Sequence, residues 1–146
     1  MIMIIKGIGA GILAGILMGL VSEVLFRMRL FKSSLILIDS EFFFRAIKIK
    51  SGFVGHYIIG TIIHLITSGV FGGIYIIGTI LVSLNAYSVL LIAIYFFILW
   101  LSMLFIALPV AGQGLMGRKA GPFTWFEQLV LHCVFGIGYF IFLQIV

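Results

Sequence analysis

The sequence predicts an all-α integral membrane protein, a four-helix transmembrane bundle with a short interfacial helix between helices one and two. Three observations lead there. The 146 residues are 64% apolar and only 9% charged, against roughly half and a quarter in soluble domains. A chain this short has too little interior to hide so much apolar surface from water. Four runs are apolar over the ~20 residues that cross a bilayer's hydrocarbon, and most basic residues lie between those runs. No stretch is polar enough to fold separately, so residues 1–146 read as one transmembrane domain.

The first span is expected over about Gly7–Phe26. Lys6 before an apolar run resembles the start of a secretory leader. The run continues to Phe26 without a small-x-small cleavage site, which favours a retained membrane helix. The connection Arg27–Gly52 is long and basic. On a helix over about 35–50, Glu41, Arg45 and Lys48 share one face, and Ile38, Phe42, Ala46 and Ile49 share another. That periodicity predicts a helix lying in the interface with its aromatic residues dipped into lipid, and Glu41–Arg45 adds an i,i+4 pair. The alternative is that Leu35–Ile38 and Phe42–Phe44 pack against the bundle.

Helix two is expected over about Phe53–Leu81 and helix three over about Tyr87–Leu108, joined around Ser83, Asn85 and Ala86. So tight a turn predicts antiparallel neighbours. The third connection, Pro109–Pro122, is rich in glycine, and helix four should occupy about Phe123–Val146.

Charge sets the expected orientation. Arg27, Arg29, Lys32, Arg45, Lys48 and Lys50 fall in the first connection and Arg118 and Lys119 in the third, with Lys6 alone on the opposite side. The positive-inside rule then places both connections in the cytoplasm and both termini outside, in the cell's inner (cytoplasmic) membrane. The net charge of +5 is thereby assigned to orientation and anionic lipid, not to nucleic acid. Cys133 is the single cysteine, so no intrachain disulfide can form and no CxxC motif exists.

Small and polar residues recur every fourth position. Helix one carries Gly7, Gly11, Gly15 and Gly19. Helix two carries His56, Gly60, His64, Ser68 and Gly72. Helix four carries Thr124, Gln128, His132 and Gly136. Such stripes let backbones approach closely, within the chain or between copies. Polar groups in hydrocarbon are costly and mark functional positions by default. At ~1.5 Å per residue, His64 and His132 should both reach about mid-bilayer. Glu23, His56, Glu127 and Gln128 form a shallower rim.

Two histidines at matched depth, flanked by Gly60, Ser68 and Gly136, have the arrangement that axial ligation of a haem b requires. A metal ion with Glu23 or His56 as a further ligand, or a proton path through Glu23, His56 and His64, are alternatives. The structural alternative is hydrogen bonding of the histidines to Ser68, Gln128, Tyr75 or a backbone carbonyl. Gly112-Gln113-Gly114-Leu115-Met116-Gly117 fits GxGxxG, but that motif cradles phosphate only between a strand and a helix, and no strand is expected here. The segment reads instead as a flexible or re-entrant connection. No nucleophile, base and acid stand at readable spacing, so an enzyme is not expected.

Several of these residues resemble the YagU-like group of inner-membrane proteins. The likeness rests on Gly11-Ile12-Leu13-Ala14-Gly15 with Glu23, and on His64 followed by Ser68, Phe71 and Tyr75. It continues in Leu108-Pro109, Trp125, and His132 followed by Gly136. It implies a compact four-helix relative with functional weight on Glu23, His64 and His132, and it implies no reaction. The expected role is a non-enzymatic accessory or packing subunit, with membrane lipids and other copies or other membrane subunits as partners. The alternative is a cofactor-binding or proton- or solute-conducting protein using the histidine pair.

Overall fold

The computed structural model describes residues 1–49 and 52–146, and among them it is all-helical. Helix α1 spans Ile2–Arg27, α2 Leu35–Ile47 and α3 Phe53–Leu81. Helix α4 covers Val89–Val110, with a π-helical turn at Met103–Ala107, and α5 covers Thr124–Ile145. Helices α1, α3, α4 and α5 are long and apolar enough to cross a membrane. The expected α3 bounds match those found. Helix α1 begins earlier than Gly7, because Lys6 near a helix end can extend its ammonium towards the interface at little cost. Helix α4 starts after Tyr87, where the Ser88 hydroxyl accepts the Leu91 amide as an N-cap.

Burial is inverted relative to a water-soluble helix. The buried residues of α1 are Gly7, Ala10, Gly11, Ala14, Gly15, Met18, Gly19 and Ser22. Its exposed face carries Ile8, Ile12, Ile16 and Leu20. Large aliphatic side chains outside and small or polar ones inside are what lipid as solvent selects.

The glycine stripe of α1 meets α3 within the same chain. A Cβ at Gly7 would strike Ile76 and the Gly72 carbonyl, one at Gly11 the Ser68 carbonyl, and one at Gly15 the Ser68 side chain. Gly19 lies beside the His64 ring, and Gly72 packs in turn on Gly7 and Gly11. Gly60 of the α3 stripe faces elsewhere, against the Ile36 carbonyl of α2, and Gly136 of α5 sits on the Phe96 ring of α4.

Two expectations are corrected. Helix α2 forms, but its expected apolar face is divided: Ile38 is buried and Phe42 partly buried in protein, while Ala46 and Ile49 stay exposed. Leu35, Ile36, Ile38 and Phe44 are buried, chiefly against α3. The Ser22 hydroxyl accepts the Leu35 amide, and Lys48 ends the helix in a left-handed conformation. Lys50, the expected end of that segment, lies outside the described residues. Helices α3 and α4 are also not packed neighbours along their length. The spans are ordered α3–α1–α5–α4, each packing on the next, while α3 and α4 touch near their connecting turn. There the Tyr75 and Tyr95 rings lie 5.2 Å apart and the Tyr95 hydroxyl donates to the Phe71 carbonyl at 2.9 Å. Beyond these aromatic rings the two helices diverge.

Candidate functional site

The divergence of α3 and α4 leaves a cavity of about 420 Å³. Ile63, His64, Thr67, Ser68 and Phe71 of α3 form one wall, and Leu99, Ser102, Met103, Ile106 and Ala107 of α4 the other. Met18 of α1 and His132 and Phe135 of α5 form the back, and Leu35, Asp39 and Phe42 of α2 close one end. Among the described residues no helix covers the α3–α4 side, where Phe71 and Ile106 are exposed. The cavity is thus a lateral cleft.

The α4 wall owes its shape to Pro109. Proline has no N–H, and its ring crowds the carbonyl four residues back in a regular helix. The turn before it widens: the Leu108 amide reaches the Met103 carbonyl in a five-residue step. Widened turns of this kind often occur at functional sites, and Met103, Ile106 and Ala107 of this one line the cleft.

His64 has both ring nitrogens engaged. Nδ1 lies 2.9 Å from Asp39 Oδ2, and Nε2 lies 3.0 Å from the Gly15 carbonyl oxygen. A carbonyl only accepts, so Nε2 carries a proton. One further proton then lies between Nδ1 and Oδ2. The pair is either imidazolium with carboxylate or imidazole with carboxylic acid, and in both forms its net charge is zero. That neutrality lets two ionisable groups stand beside an apolar cavity.

His132 differs. Its Nδ1 faces the Gln128 backbone carbonyl at 2.8 Å and must donate, which leaves the Nε2 lone pair available in the neutral ring. Nε2 has no hydrogen-bond partner among the described residues, nor do the Ser68 hydroxyl and Asp39 Oδ1. His64 and His132 therefore line one space with unequal chemistry; it opens between helices two and three of the expected bundle (α3 and α4), not between helices two and four. Both bond to backbone carbonyls, as the structural alternative expected.

The remaining predicted site residues lie elsewhere. Glu23 accepts from Arg27 Nε at 2.8 Å, Ser34 Oγ at 3.0 Å and Tyr57 OH at 3.2 Å. The hydroxyl of Ser40 donates to the Leu37 carbonyl, so His56 Nδ1, 2.8 Å away, donates to Ser40, and the His56 ring packs on Phe44. Neither residue lines the cleft, and no hydrogen bond among the described residues joins Glu23, His56 and His64 into a path. Glu127 is buried and accepts from the Lys32 amide at 3.0 Å and Ser33 Oγ at 3.2 Å. Glu23 and Glu127 thus clamp the segment that leads into α2. Gln128 is fully buried, and neither of its side-chain amide atoms has a partner among the described residues.

A haem held by both histidines would require His64 Nε2 to give up its proton and its bond to the Gly15 carbonyl. Among the described residues, no three His, Cys, Asp or Glu side chains gather to hold a metal ion. In the Gly112–Gly117 segment, Gly112, Gly114 and Gly117 have φ of 82°, 76° and 73°. The glycines serve left-handed turns there.

Asp39 is the residue that sequence reasoning missed. Its signal was present: Leu35, Asp39 and Phe42 fall on one helical face, so an acid sits within an apolar stripe. No protein family, curated protein or solved structure matches the chain.

Proposed function

We propose that this is a non-enzymatic multi-pass membrane protein whose four spans form one bundle, open between α3 and α4, and that it admits a lipophilic molecule from the bilayer into that opening. The cleft itself carries the reading. Its volume of about 420 Å³ lies in the range of small-molecule sites, which are mostly apolar with a few convergent polar groups. Apolar side chains dominate its lining, and Ser68, Asp39 and His132 each present a free polar atom.

The accessory-subunit reading drew on the glycine stripes, and the stripe of α1 is filled by contacts inside the chain. The likeness to the YagU-like group remains part of the proposal through His64 and His132. For orientation, Lys32 bonds Glu127 at the start of α5, and Arg45 packs on Gly112. These contacts support a common side for the two basic connections, which we assign to the cytoplasm of a cell membrane with both termini opposite.

The test is extraction of purified protein followed by mass spectrometry of retained lipophiles. Wild type should retain a lipophile enriched over bulk lipid, and Ala107→Trp, which fills the cleft, should lose it. Equal retention by both would remove the cleft as the binding place.

A further inference from the structure

We infer that the cleft selects a lipophile with an uncharged hydroxyl head, a long-chain alcohol or phenol, over anionic, cationic or purely hydrocarbon occupants. This rests on the cleft-binding reading above. Each free polar atom has a defined hydrogen-bonding sense. Neutral His132 Nε2 is an acceptor, because Nδ1 spends its proton on the Gln128 carbonyl. The Ser68 hydroxyl, on the α3 wall and without a partner among the described residues, can both donate and accept. The Thr67 and Ser102 hydroxyls donate to carbonyls of their own helices. A head group meeting these atoms must therefore bring at least one donor, and a hydroxyl brings a donor and an acceptor together.

Charge removes the competing classes. The Asp39–His64 pair is neutral as a unit, since its single shared proton serves both partners. Among the described residues no Lys or Arg lines the cleft, so a phosphate or carboxylate head would lose its water without meeting a cation there. An ammonium head would meet no uncompensated carboxylate. A hydrocarbon would leave His132 Nε2 and the Ser68 hydroxyl unpaired, a cost that an alcohol avoids.

The experiment uses full-length Cys133→Ala protein carrying Ser102→Cys in nanodiscs, and follows alkylation of the cleft thiol by a membrane-permeant maleimide. The probes are 1-hexadecanol, hexadecanoate, hexadecylamine and hexadecane. The alcohol should protect the thiol at concentrations about tenfold lower than the other three, the scale of one hydrogen bond to a buried acceptor. Adding His132→Phe keeps a ring but deletes the lone pair, and should lower the alcohol's potency towards that of hexadecane, with Ser68 alone left to pair with the head, without changing protection by hexadecane. Equal protection by all four probes would overturn the head-group selection while leaving the cleft as a lipophile site. Preference for the acid or the amine would overturn it in favour of a charged site. Undiminished alcohol preference in His132→Phe would also overturn it. Protection by none would refute the cleft-binding reading itself.

Discussion

Replacing Asp39 separates the hydrogen bond it makes from the charge it carries. The His64 proton on Nε2 is fixed by the Gly15 carbonyl, so a neutral ring presents an Nδ1 lone pair to residue 39. In Asp39→Asn the side-chain amide can donate to that lone pair, preserving the contact with no net charge introduced. Its cost should stay below about 1 kcal/mol, within the net worth of one ordinary hydrogen bond. In Asp39→Ala the buried Nδ1 loses its partner, for about 1–3 kcal/mol. Alanine's better helix propensity returns roughly 0.5 kcal/mol of that. The net loss expected is therefore about 0.5–2.5 kcal/mol, with alanine clearly worse than asparagine. Reversible unfolding in mixed micelles, followed by circular dichroism, measures both. Asparagine costing more than about 3 kcal/mol would mean that the pair is held as imidazolium and carboxylate, a full ion pair that a neutral amide cannot replace. An alanine variant as stable as wild type would mean that the contact contributes nothing.

Two further perturbations address the frame that holds the cleft. Gly11→Ala places a methyl against the Ser68 carbonyl and the Gly72 Cα of α3. It should cost about 1–3 kcal/mol by overpacking, whereas Gly78→Ala, with nothing within 4 Å, should be neutral or gain about 0.5–1 kcal/mol. Parallel thermal melts in detergent check the contrast, and equal melting temperatures would show that α1 and α3 are not in backbone contact. Glu127→Ala removes the acceptor of the Lys32 amide and Ser33 hydroxyl. It should destabilise by about 2–3 kcal/mol, since the lost hydrogen bonds go to a charged group. Hydrogen exchange should then rise at Lys32 and Leu35, and wild-type exchange there would show that the clamp is dispensable.

The spans were legible in the sequence because lipid imposes a length and an apolarity that few other structures share. The α1 stripe was legible as a close contact, since four glycines in register have little other use, but its partner was not. Only the structure shows that Ser68 and Gly72 fill it. The inward direction of His64 and His132 followed from the cost of placing imidazole among lipid tails. Asp39 was hidden because the pattern of α2 is satisfied equally by an interface and by protein, and the choice depends on Gly60 admitting the Ile36 backbone. The cleft was hidden for a related reason. A short turn fixes the separation of α3 and α4 only near Ala86, and their divergence depends on Tyr75, Tyr95 and the widened turn before Pro109.

The central claim is that the α3–α4 side is an entrance from lipid, and photocrosslinking addresses it most directly. Protein in native membranes would be irradiated with a long-chain alcohol bearing a diazirine near its hydroxyl, and the modified residues mapped by mass spectrometry. The account predicts labels concentrated on Ile63, Thr67, Phe71, Leu99 and Ile106, which line the cleft, and their loss in Ala107→Trp. Labels spread evenly over outward residues such as Ile12, Ile16 and Ile137, unchanged by Ala107→Trp, would contradict it.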